Sequence, residues 1–92
     1  MTKQAVYPLS LSKINEPVKV VAIRGGNDLM RRLLAMGITN GTQLTVLEHT
    51  QGEGIMVRCQ DTRWAMGPGM AHKILVMQSE ESGESSNEYL FA

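Results

Sequence analysis

Apolar and polar positions alternate with a two-residue period over two stretches of the chain. In Gln43 to His49, Leu44 and Val46 alternate with Gln43 and Thr45; in Ile55 to Cys59, Ile55, Val57 and Cys59 alternate with Met56 and Arg58. Each reads as a half-buried strand. Pro17 to Arg24 is rich in β-branched residues, with Lys19 breaking an apolar run. That suits a strand covered on one face and partly covered on the other. Thr62 to Met66, which carries the only tryptophan, and Lys73 to Met77 bring the short strands to five. The helical period appears once. Leu29, Leu33 and Met36, joined by Met30 and Leu34, form the apolar side, and Arg31 and Arg32 take the other face.

Turn chemistry punctuates these elements. Gly25-Gly26 ends the first strand, Asn27 reads as an N-cap, and Asp28 places negative charge in the first helical turn, where the macrodipole favours it. Gly37 is the expected left-handed residue after the helix, which is predicted over residues 28–36. Asn40-Gly41 turns the chain into the second strand, residues 50–54 make a hairpin loop, and Gln60-Asp61 makes another turn. Gly67-Pro68-Gly69 is read as a break in pairing, because proline cannot donate to a ladder. Leu9, Leu11 and Ile14 suggest an extended entry followed by a short helical turn. The pattern predicts a mainly β fold: a small, strongly bent barrel of about five short strands with one α-helix inserted after the first. A small flat sheet with one helix competes, since periodicity does not report closure.

Length and charge narrow the function. Ninety-two residues make one small domain. The longest apolar runs are four residues, far below the roughly twenty of a membrane span, so no membrane insertion is expected. The opening residues have no apolar segment typical of a secretory signal, and the single Cys59 cannot form an internal disulfide, so the chain is expected to be cytoplasmic. The net charge of zero hides an asymmetry. Glu80, Glu81, Glu84 and Glu88 are all in the last segment, leaving nine basic against five acidic residues, +4, over residues 1–79. The division expected is a flexible N-terminus (1–6), a folded domain (7–78) and an acidic, disordered C-terminal tail (79–92) whose one apolar cluster is Tyr89-Leu90-Phe91.

No catalytic constellation, cofactor site or metal site stands out. A phosphate loop of the Gly-x-x-x-x-Gly-Lys type is absent, and Asp28 would repel an anion at the one strand–glycine–helix junction. Cys59 could pair with His49 or His72, but its phase with Ile55 and Val57 favours a buried, inert thiol. The two histidines are 23 positions apart, not at ligand spacing, and the scattered methionines read as core filler. Nucleic acid is not an expected partner, because the body offers only Tyr7 and Trp64 as stacking surfaces. What remains is a protein-binding module. Arg31 and Arg32 on the helix, with Met56 and Arg58 on an outward strand face, are the candidate partner-binding residues. Exposed strand edges leave a homodimer open.

Two stretches together resemble the FeoA family, cytosolic proteins that accompany the bacterial ferrous-iron transporter FeoB. Residues 31–42, Arg-Arg-Leu-Leu-Ala-Met-Gly-Ile-Thr-Asn-Gly-Thr, are similar to the family's helix-and-turn signature R-x-L-x-x-L-G-(aliphatic)-x-x-G. Thr62 to Gly67, followed by Ala71-His72-Lys73-Ile74-Leu75-Val76, is similar to its closing strand and A-x-x-I-x-V pattern. The resemblance covers about residues 8–77. It implies an SH3-like barrel and a non-enzymatic accessory role in ferrous-iron uptake through contact with the transporter's cytoplasmic, GTP-hydrolysing part. Fe(II) binding by the protein itself and a small nucleic-acid-binding barrel are the alternatives. The same barrel occurs as the C-terminal domain of DtxR-like metal-dependent repressors; with no helix-turn-helix domain expected before it, a repressor is disfavoured.

Overall fold

The computed structural model describes residues 5–79; the expectations for residues 1–4 and for the tail beyond Ser79 lie outside them. Six strands form one antiparallel sheet: β1 (Tyr7–Pro8), β2 (Pro17–Ile23), β3 (Gln43–His49), β4 (Ile55–Cys59), β5 (Thr62–Met66) and β6 (Ile74–Gln78). Their order across the sheet is β1-β6-β2-β3-β4-β5. Helix α1 (Asn27–Ala35) follows β2, and helix α2 (Pro68–Lys73) joins β5 to β6. A short 3-10 turn, Leu9–Leu11, follows β1. The fold is the mainly β, SH3-like one expected, with two additions: the two-residue β1 and the helix α2. Among the described residues β1 and β5 do not pair, so the sheet does not close into a full barrel.

The alternation seen in the sequence becomes one buried face. Val18 and Val20 of β2, Leu44 and Val46 of β3, Ile55 and Val57 of β4, Met66 of β5 and Ile74 and Val76 of β6 are all in the core. Leu9 from the 3-10 turn, Leu33 and Ile38 from the α1 region, and Ala71 from α2 complete it. Register shifts between Val20 and Ala22 and between Val46 and Glu48 mark bulges in the two long strands. Such bulges bend a strand and increase its twist.

Helix α1 ends by a complete Schellman closure. Gly37, at φ +82°, donates from its N–H to the Leu34 carbonyl at 2.9 Å, and Ile38 donates to the Leu33 carbonyl at 2.8 Å. A left-handed backbone at this position favours glycine, which has no Cβ to strain. Leu33 and Ile38, the pair that such a closure brings together, are both buried. At the other end the cap is Gly26, and Asn27 is already helical with no side-chain cap bond. The predicted break at Gly67-Pro68-Gly69 does end β5, but Pro68 then opens α2. Proline at the first helical position loses nothing, since that N–H has no partner within the helix. The Ala71 N–H reaches the Gly67 carbonyl at 3.1 Å, and Lys73 ends the helix instead of starting β6.

Candidate docking surface

The nine residues of α1 present two apolar stripes. Leu33 is fully buried and Leu29 and Met36 pack partly against the core. Met30 and Leu34, expected to join them, do not: they are 45% and 62% exposed. At 3.6 residues per turn, Met30 and Leu34 lie about 100° around the axis from Leu29 and Leu33, past the edge of the stripe that the sheet covers here. Arg31 is exposed beside them, and Arg32 and Asp28 are exposed on the opposite side of the helix.

Met30 and Leu34 border a groove of about 560 Å³ in which Ile23 and Ile38 supply further apolar surface and Asn27, Arg31, Thr39 and Asn40 the polar lining. The β3 side of this groove is fixed by the turn after α1. The Thr39 N–H donates to the Thr42 hydroxyl at 3.0 Å, and the Gly41 N–H donates to the Val20 carbonyl at 2.7 Å. On the far side of α1, Arg31 and Arg32 border a second groove with Asp28, Met70 and Lys73.

The other two predicted contact residues lie on β4. Arg58 is exposed and lines a polar groove with Gly41, Thr42, Gln43, Thr45 and Gln60; Met56 is half-buried, opposite Glu48 on β3 and Ala65 on β5. None of these grooves is lined by both the α1 pair and the β4 pair. The exposed apolar pair on α1 was not singled out in the sequence. The available signal was the excess of five large apolar side chains over what a helix of this length can bury on one face.

His49 and His72, distant in sequence, line one groove, with Leu11 and Pro68. Helix α2 brings His72 there. The His49 Nε2–H donates to the Ser12 carbonyl at 3.1 Å. Among the described residues no three His, Cys, Asp or Glu side chains gather as a metal site. The Cys59–His pairing is not formed: Cys59 is buried, and its Sγ–H reaches the Gly37 carbonyl at 3.9 Å. Burial pushes the thiol above its ordinary pKa, the reverse of what a nucleophile needs. No helix among the described residues is long and apolar enough to cross a membrane.

Residues 7–78 match the model of the family described as "FeoA domain". A curated relative from Methanocaldococcus jannaschii, "Putative Fe(2+) transport protein A", is 36% identical over 80 residues, 87% of this chain and 96% of that one. The crystal structure of an iron uptake regulatory protein (FeoA) superposes with a TM-score of 0.71 at 33% identity, over 78% of this chain and 95% of that chain. A manganese-dependent transcriptional repressor shares the fold at a TM-score of 0.75 and 20% identity, over 86% of this chain and 45% of its own.

Proposed function

The chain belongs to the FeoA domain family, and from that premise we propose that it is a non-enzymatic, cytoplasmic accessory protein of ferrous-iron transport that docks on the cytoplasmic, GTP-hydrolysing part of a FeoB-type membrane transporter. The observation that carries the docking mode is the second stripe of α1. Met30 and Leu34 stand exposed in a groove flanked by Arg31, on a helix already anchored to the core by Leu33. An exposed apolar patch with a polar rim is the usual mark of an interaction site. The aliphatic pair supplies burial, and Arg31 with Arg32 supplies orientation and electrostatic attraction to an acidic partner surface. Met56 and Arg58, on β4, serve as a separate contact.

Support for a binding role also comes from chemistry. The buried thiol of Cys59 is held protonated, and the His49 ring is engaged with the Ser12 carbonyl. The test is capture of the transporter's purified cytoplasmic domain by the purified chain at micromolar concentration. Association that Met30→Ala with Leu34→Ala abolishes supports the reading; no association in either nucleotide state, or association indifferent to both variants, overturns it.

A further inference from the structure

We propose that the groove beside α1 is the seat of the chain's own tail: Tyr89, Leu90 and Phe91 dock intramolecularly against Met30 and Leu34, and the tail glutamates lie along Arg31 on its rim. This goes beyond the transporter reading and does not depend on it.

The position of Ser79, the last described residue, motivates the assignment. The Ser79 N–H donates to the Pro17 carbonyl at 3.1 Å, and the Ser79 hydroxyl donates to the Gln43 side-chain oxygen at 3.4 Å. Gln43 is only three residues from Asn40, which borders the groove. Three residues of backbone span at most about 11 Å, whereas the ten steps from Ser79 to Tyr89 span up to about 35 Å. The apolar cluster of the tail can therefore reach the groove with slack.

Chemistry selects the groove. The one nearest Ser79, around Arg58, is lined by Gly41, Thr42, Gln43, Thr45 and Gln60 and has no large apolar side chain. The α1 groove gathers Ile23, Met30, Leu34 and Ile38, the seat that a Tyr-Leu-Phe cluster requires. Charge acts in the same sense. Glu80, Glu81, Glu84 and Glu88 have no basic residue among them, while residues 1–79 carry +4. A tether of this length also holds the tail at a millimolar effective concentration, so a weak intrinsic affinity suffices. Docked there, the tail competes with any external ligand of the same groove.

Paramagnetic relaxation in the full chain tests this. A nitroxide is attached through Ser86→Cys, the native Cys59 being buried and held as the thiol. Expected is loss of most methyl intensity at Met30, Leu34 and Ile38, unchanged on dilution. The same labelled chain carrying Tyr89→Ala, Leu90→Ala and Phe91→Ala should recover it. Groove methyls that keep their intensity overturn the proposal, as does broadening that survives the triple substitution. Broadening seen only between a labelled and a separate isotope-enriched chain overturns it too, by placing the tail on a second copy.

Discussion

Arg58 on β4 and Arg63 on β5 stand directly opposite each other in the antiparallel ladder, so two exposed arginines share one cross-strand position. The turn at Gln60 and Asp61 fixes that register, with Gln60 in the left-handed region at φ +60°. Like charges directly opposite destabilise a sheet pair. Arg63→Glu replaces repulsion with attraction and should raise stability by about 0.2–1 kcal/mol. Urea midpoints at low salt read the gain, which should shrink as salt screens the exposed pair.

Cys59 gives stability a pH dependence. Burial raises its thiol pKa in the folded chain. Above the ordinary thiol value of about 8.5, the unfolded chain has begun to release the proton that the folded chain still holds. The unfolded state then binds fewer protons, so stability falls as pH rises from there through the elevated folded value. Cys59→Ala should flatten that part of the urea-midpoint profile. Tyr7, whose pKa is also raised by burial and by Glu16, keeps a similar slope at higher pH. Alkylation of the native thiol should be slow and should accelerate on unfolding.

Two glycines flanking the β4–β5 pair should respond oppositely to alanine. A Cβ on Gly54 would stand 2.7 Å from the Met66 carbonyl oxygen, and backbone on that side cannot step away without opening the ladder where Ile55 faces Met66. Gly54→Ala should cost about 1–3 kcal/mol, as overpacking does. Gly67 has an ordinary φ of −74° and open space around it. Gly67→Ala should be neutral or stabilise by about 0.4–1 kcal/mol through the unfolded chain. Thermal unfolding of both variants distinguishes a steric requirement from a conformational one.

Leu33 and Leu34 are neighbours with opposite duties. Leu33 is fully buried under the sheet, whereas Leu34 is 62% exposed in the groove. Leu33→Ala should destabilise by about 2–5 kcal/mol. Leu34→Ala should leave the melting temperature nearly unchanged and weaken partner capture.

That contrast shows what the sequence made legible. Strands β2 to β5 and the helix end at Gly37 follow from a two-residue period and from glycine placement, both local signals, and the structure has them within a residue of the prediction. Helix α2 is not legible in the sequence because Gly67-Pro68-Gly69 reads as a break, although proline at the first helical turn is a starter. The exposure of Met30 and Leu34 is not legible either, because a helical period says which residues share a face, not how wide the covering sheet is. His49 and His72 come to line one groove only through α2, a tertiary relation that no spacing encodes.

Charge reversal on α1 separates docking from folding. Arg31 and Arg32 are both exposed, and Arg32 sits in the last turn, where its charge favours the helix. Arg31→Glu with Arg32→Glu therefore costs the fold about 0.3–1 kcal/mol through the macrodipole. The same change turns the rim beside Met30 and Leu34 from attractive to repulsive for an acidic surface, so association should fall far more than stability does. Capture of the transporter's cytoplasmic domain should be lost, with circular dichroism and melting temperature close to those of the native chain. The neutral pair Arg31→Gln with Arg32→Gln should fall between, and its residual binding should depend less on salt, since rim charges act mainly through the screened, long-range part of association. Loss of folding in the reversed chain would mean that these arginines brace α1 against the sheet. Retained binding would move the docking surface to β4, around Met56 and Arg58.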